Sequence, residues 1–201
     1  MGTTLIAIKH QNGVVVASES QTTSGNYISN RAADKITILS DHIVCLRSGS
    51  SADTQNIVDL VKNIVKKEII ERQGPIEVRF VAQILRNICY KKKSSVNCGF
   101  ICAGWDNFHG GQVYTIIQGG TIFSTPLAFS GSGSIFLNSF CDVNLEDNMS
   151  EGELEKLTTK AVSLAIQRDG NSSGIIRICK ISHQGILKKS FSPTKIIKKK
   201  V

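Results

Sequence analysis

Proline is scarce in this chain of 201 residues, with three in all, and tryptophan occurs once. So little proline, beside 17 glycines that follow no period, excludes collagen-like and proline-rich architectures. No apolar run approaches the roughly 18 to 20 residues that span a bilayer. The opening Met1-Gly2-Thr3-Thr4-Leu5-Ile6 lacks the charged segment and long apolar core of a signal peptide, and Ile6 stands where a myristoylation pattern wants Ser or Thr. Neither a membrane nor a secretory route is expected.

Familiar chemical motifs are missing as well. There is no Gly-Lys-Ser or Gly-Lys-Thr phosphate loop, and Gly131-Ser132-Gly133-Ser134 lacks the third glycine and the leading strand of a dinucleotide loop. His10, His42, His109 and His183 include no pair at i and i+4 and fall at turns or strand ends. Cys98 and Cys102 have no histidine following at zinc-finger distance. All six cysteines (Cys45, Cys89, Cys98, Cys102, Cys141 and Cys179) lie in apolar surroundings and read as small buried hydrophobes. Neither a metal nor a cofactor is expected.

What is present is an ordinary folding chain, 41% hydrophobic and 20% charged. A chain of this size buries roughly 70% of its unfolded surface as one domain. Its formal charge of +8 is local, because nine lysines lie in two clusters, Lys91 to Lys93 and six between Lys188 and Lys200; +8 less nine leaves −1 for the body. No aromatics interleave the tail lysines as single-strand binders require, so no nucleic-acid partner is expected and a solvated face or an acidic protein neighbour fits better.

Alternating Thr4, Ile6 and Ile8, then Asn12-Gly13 and the β-branched Val14-Val15-Val16, predict an N-terminal hairpin with its turn at Asn12-Gly13. A polar loop, Gln21 to Asp34, leads to a second strand pair, Ile36 to Leu39 and His42 to Arg47. Ser50 and Asp53 resemble a capping box opening a long helix with Ile57, Leu60, Val61, Ile64 and Val65 at helical spacing. A second helix carries Phe80, Val81, Ile84, Leu85 and Ile88 and ends at the cations Lys91 to Lys93. Strands return at Gly99 to Ala103, Gln112 to Ile117 and Thr121 to Ser124. Two more helices follow, the second capped by Ser150 with Glu153, and a last hairpin spans Gly174 to Lys189. Runs of strands and runs of helices, without strict alternation, predict an α+β fold of stacked layers.

Gly2-Thr3-Thr4, Asp34-Lys35, Arg47-Ser48-Gly49-Ser50, Gly131-Ser132-Gly133 and Arg168-Asp169-Gly170 through Ser173 occur in one order over nearly the whole length. At these residues the chain resembles proteasome β-type subunits. Tyr27-Ile28, Asn30-Arg31, Ala52-Asp53-Thr54-Gln55, Ala103-Gly104-Trp105-Asp106 and Gly110 through Tyr114 most resemble the caspase-like subunit, which cuts after acidic residues. The resemblance implies a four-layer α/β/β/α sandwich of the N-terminal nucleophile hydrolase type, two antiparallel sheets between helical layers. Residues 1–2 would be a short leader, 3–187 the hydrolase domain and 188–201 a lysine-rich tail.

The same resemblance implies a threonine endopeptidase. Cleavage between Gly2 and Thr3 would free Thr3, whose hydroxyl attacks a peptide carbonyl while its own α-amine takes the proton. An α-amine titrates near 7.7 to 8.0, and the Lys35 ammonium would push it down. Glu19 occupies the position of the lysine's aspartate partner in active members. Ser132, Asp169 and Ser172 match the residues that orient the threonine amine and hydroxyl, and the Gly49 N–H matches the oxyanion hole. Thr22, Thr23, Gly49 and Ser51 match substrate-binding positions, where the backbone of Thr23, Gly49 and Ser51 holds an added strand. Arg47 would lie at the base of the first specificity pocket. Gln21 stands where an arginine is common, and Ala33 where the caspase-like type has Thr. Expected partners are other α- and β-type subunits in stacked rings and unfolded polypeptide substrates, in cytoplasm and nucleus. A silent structural subunit of the same ring is the alternative.

Overall fold

Strands β1 (Leu5–His10) and β2 (Gly13–Ser18) are apolar at nearly every position because their sheet is covered on both faces. Leu5, Ala7, Val14 and Val16 face one apolar cluster, whereas Ile6, Ile8, Val15 and Ala17 face another. The computed structural model describes residues 2–25 and 27–192. A short ribbon follows, β3 (Thr22–Ser24) and β4 (Tyr27–Asn30), then β5 (Ile36–Ser40), β6 (Ile43–Gly49), α1 (Ser51–Arg72) and α2 (Val78–Lys91). Next come β7 (Cys98–Asp106), β8 (Gly110–Ile116), β9 (Ile122–Ser124), β10 (Leu127–Ser130), α3 (Ser134–Asn144), α4 (Glu151–Arg168), β11 (Ile176–Ser182) and β12 (Gly185–Phe191).

Two five-stranded sheets result, in the orders β10-β1-β2-β11-β12 and β5-β6-β7-β8-β9, and every strand pairing is antiparallel. Helices α1 and α2 cover the outer face of the second sheet, where Val61, Val81 and Leu85 meet Cys45, Phe100 and Cys102. Helices α3 and α4 cover the first through Leu137, Leu157 and Val162 against Ile6, Val15 and Ile178. Between the sheets, Leu5 and Val16 pack with Val44, Leu46 and Ile101. This is the expected four-layer α/β/β/α sandwich. Each fully buried Val, Leu or Ile in it stabilises by about 1.5–3 kcal/mol relative to exposure.

Local chemistry sets the helix ends. Ser150 and Glu153 form a complete capping box on α4. At α1 only half of the expected box forms: Ser50 Oγ accepts from the Asp53 N–H, but the Ser50 N–H donates to Asn97 O at 2.9 Å. Gln73, in the left-handed region at φ 53°, closes α1 before Gly74-Pro75.

Several expectations need correction. The first hairpin turns at Gln11-Asn12, since His10 pairs with Gly13. Gly13 serves close approach instead: an added Cβ would lie 2.0 Å from Ile181 O. The loop Gln21 to Asp34 contains the β3–β4 ribbon, and strand β10 does precede Gly131-Ser132-Gly133. Strand β12 runs to Phe191, so Lys188 and Lys189 belong to the sheet and pair with Asp34 and Glu155, not to a tail starting at 188. Lys195 and Lys198 to Lys200 lie outside the described residues, as does Met1. All six cysteines are buried. Among the described residues no helix is long and apolar enough to cross a membrane.

Candidate active site

Chain segments that are distant in sequence converge at one edge of the two sheets. Thr3 and Thr4 lead into β1, Glu19 follows β2, Lys35 precedes β5, and Arg47 and Gly49 end β6. Ser132 lies in the turn from β10 to α3, Asp169 caps the C-terminus of α4, and Ser172 follows in the next turn. Hydrogen-bonded sheet fixes the flanks, so the intervening turns hold their side chains in fixed relation.

Thr3 is buried, and its hydroxyl donates to the Gly2 carbonyl oxygen at 2.7 Å. Lys35 Nζ donates to that same carbonyl at 3.0 Å and to Thr3 Oγ1 at 3.1 Å, and it is ion-paired with Glu19. Burial pushes the Lys35 pKa down and the Glu19 pKa up, each opposed by the attraction between the pair. Glu19 is fully buried and reaches the lysine despite its extra methylene relative to Asp. Its oxygens also accept from the backbone N–H groups of Thr4 at 3.2 Å and Gln21 at 2.6 Å.

A second network lies behind the Thr3 nitrogen. The Thr3 N–H donates to Ser132 Oγ at 3.3 Å, and Ser132 donates to Asp169 Oδ2 at 2.6 Å. Ser172 donates to the same oxygen at 2.7 Å. An anion at a helix C-terminus is disfavoured by the helix dipole. Here burial adds to that cost, yet hydrogen bonds from Ser132, Ser172 and the Asn171 N–H hold the Asp169 carboxyl below its usual pKa. Ser172 is expected, with Ser132 and Asp169, to orient the threonine amine and hydroxyl. It reaches Thr3 only through Asp169 and Ser132, and its hydroxyl meets Thr4 Oγ1 at 2.7 Å.

Thr4 is thus a site residue to which the sequence reading gave no role. It is fully buried, and Gly133 makes room for it, since a Cβ there would lie 2.0 Å from Thr4 Oγ1. Gln21 joins the Glu19 loop to the Asp169 turn through Nε2 and Asn171 O at 3.3 Å. Gly131 packs on Thr3: at φ +89°, its added Cβ would lie 2.1 Å from Thr3 O.

Thr3 and Lys35 open into a cleft of about 370 Å³ together with Thr22, Thr23, Arg47, Gly49 and Ser51, so every expected substrate-binding position lines it. Ala33 lies on the same wall. Arg47 Nη2 donates to Asp34 O at 2.5 Å, but Arg47 Nε and Thr23 Oγ1 are buried without a hydrogen-bond partner among the described residues. Burial lowers the guanidinium pKa, although the group stays charged. Glu19, Ser132, Asp169 and Ser172 stand behind the cleft wall.

A four-layer α/β/β/α sandwich with a threonine entering its first strand, beside a buried lysine and an open cleft, defines the N-terminal nucleophile hydrolase fold. A family model described as proteasome subunit matches residues 1–181. Proteasome subunit beta type-6 of Arabidopsis thaliana is 41% identical over 196 residues, covering 98% of this chain and 84% of that protein. Probable proteasome subunit beta type-1 of Schizosaccharomyces pombe is 42% identical over 192 residues, 96% of this chain and 85% of its own. Proteasome subunit beta type-1 of Saccharomyces cerevisiae is 38% identical over 193 residues, with 96% and 89% covered. The chain belongs to the proteasome subunit family.

Proposed function

We propose that this chain is a threonine endopeptidase subunit of the 20S core, of the caspase-like type, working in a ring with other α- and β-type subunits on unfolded polypeptides in cytoplasm and nucleus. The observation that carries the reading is the triangle of Thr3 Oγ1, Gly2 O and Lys35 Nζ, with separations of 2.7, 3.0 and 3.1 Å. A nucleophilic hydroxyl lies beside the carbonyl of its own preceding peptide, and a cation polarises that carbonyl. Hydrolysis of the Gly2–Thr3 bond consumes one water and leaves Thr3 with a free α-amine.

The freed amine would then lie next to the Thr3 hydroxyl and accept its proton as the hydroxyl attacks a substrate carbonyl. The Lys35 ammonium disfavours a second positive charge on that amine and keeps more of it basic near neutral pH. Ser132, held by Asp169, orients the amine, and the Gly49 N–H stabilises the oxyanion, a contribution of about 3 kcal/mol where such donors have been removed. Arg47 supports the acidic preference: a cation in the cleft wall calls for an anionic side chain.

The test is intact-mass measurement of the subunit from purified particles, combined with labelling by an epoxyketone that requires a free N-terminal threonine. A mass beginning at Thr3 and a single covalent adduct are expected. An intact Gly2–Thr3 bond in assembled particles would falsify the enzymatic reading and assign the chain to the ring scaffold.

A further inference from the structure

Two serines given no role so far touch each other beside the site. The Ser48 hydroxyl donates to the Gly99 carbonyl oxygen at 3.1 Å and lies 2.8 Å from the Ser130 hydroxyl. With the Ser48 proton on Gly99, Ser130 donates and Ser48 accepts. Ser48 belongs to β6 and Ser130 ends β10, so the contact joins the two five-stranded sheets. Gly99 leaves the space for it: an added Cβ would lie 2.9 Å from Ser48 Oγ and 3.7 Å from Ser130 Oγ.

Each serine adjoins one half of the candidate machinery. Ser48 precedes Gly49, the oxyanion donor, whose φ of +104° and close approach to Asn97 O leave no room for a side chain. Ser130 precedes Gly131, which packs on the Thr3 carbonyl, and Ser132, which accepts from the Thr3 N–H. The Gly133 N–H completes that turn by donating to Thr3 O at 3.1 Å. The hydroxyl bridge therefore runs from the strand end that stabilises the oxyanion to the turn that holds the nucleophile.

We infer that Ser48 and Ser130 are positioning residues whose bridge fixes the spacing between the Gly49 N–H and the Ser132–Thr3 pair. The inference rests on the peptidase reading above. Neither serine is assigned a substrate contact; the bridge acts through Gly49 and Ser132. Rate is far more sensitive than binding to such spacing, since a displacement of about 1 Å can cost on the order of 100-fold.

The experiment compares Ser130→Thr with Ser130→Val in assembled particles, because the two have the same shape, suit a strand, and differ in the hydroxyl. A fluorogenic peptide ending in Glu gives kcat and KM separately. Ser130→Val should lower kcat about tenfold or more with KM within about twofold of wild type, whereas Ser130→Thr should keep the wild-type kcat. In a cycle of Ser48→Ala, Ser130→Ala and the double variant, the double should be no slower than the slower single, as for one shared interaction. Wild-type kcat in Ser130→Val, equal losses in the Thr and Val variants, or multiplying losses in the cycle would overturn the bridge. Ser48→Ala carries the test should Ser130→Val not assemble, and an unchanged kcat there overturns it too. Failure of the peptidase reading is separately visible as wild-type particles without turnover, which removes the inference with it.

Discussion

Lys35 donates to the Thr3 hydroxyl across 3.1 Å while its ion-pair partner, Glu19, is fully buried. Taking both charges out of water is costly, and a buried pair is maintained only when its remaining hydrogen-bonding capacity is met. Glu19 meets that condition with the N–H groups of Thr4 and Gln21, and Lys35 with the Gly2 carbonyl and the Thr3 hydroxyl. The pair is therefore fixed by the same backbone that fixes Thr3.

The geometry is adapted to glutamate at this position. Glu19→Asp withdraws the carboxylate by about one carbon–carbon bond, roughly 1.5 Å, and leaves Lys35 or a backbone N–H unsatisfied. Peptide turnover should fall on the order of 10- to 100-fold, and Glu19→Gln, which removes the charge, should fall at least as far. Steady-state kinetics on assembled particles decides it; a Glu19→Asp variant as fast as wild type would refute the adaptation.

Asp169 makes a pH-dependent contribution. Three hydrogen bonds depress its folded pKa below the ordinary 3.8, so the unfolded chain binds its proton more readily than the folded one. The stability gained is complete above 3.8 and is lost as pH falls through the lowered folded value. Asp169→Asn should remove this part of the acid dependence. Melting curves at a series of pH values should converge for wild type and variant at the acid end and separate near neutrality; a constant gap would contradict the carboxylate's role.

Much of the sandwich was legible because both faces of its inner strands are apolar and its helices carry plain periodicity and caps. The ribbon β3–β4 was not, since Thr22-Thr23-Ser24 and Tyr27 to Asn30 are mostly polar and exposed and show no buried alternation. Strand β10 is four residues long at a sheet edge, too short to give a pattern. The site residues share no local motif and were legible only as an ordered set along the chain. Thr4 stood in that set beside Thr3 but was given no role, because its hydroxyl partner, Ser172, lies 168 positions away and adjacent threonines read as ordinary strand.

Gly131 is held by sterics on two counts. Its φ of +89° disfavours any side chain, and a Cβ would sit 2.1 Å from the Thr3 carbonyl oxygen. Gly131→Ala should destabilise the chain by more than about 1–2 kcal/mol and displace Thr3 from Ser132. Epoxyketone labelling should fall more steeply than the melting temperature alone accounts for. Wild-type labelling in a stably assembled variant would show that Thr3 tolerates the shift.

Arg47 is the most direct handle on specificity. Its Nη2 is held by Asp34 O, which points the guanidinium along the cleft wall, while Nε is buried with no acceptor among the described residues. A substrate carboxylate in the cleft would meet the guanidinium as its counter-charge. Hydrogen bonds to charged groups contribute about 1.5–3 kcal/mol, which is about 10- to 150-fold in kcat/KM. Arg47→Ala should therefore depress cleavage after Glu by that factor while cleavage after Leu changes little. Arg47→Lys should recover only part of the loss, because an ammonium offers charge without the planar fork. Kinetics with matched Glu and Leu peptides separates the two: equal losses on both would mean that Arg47 shapes the cleft without reading the side chain, and the acidic preference would have to be abandoned.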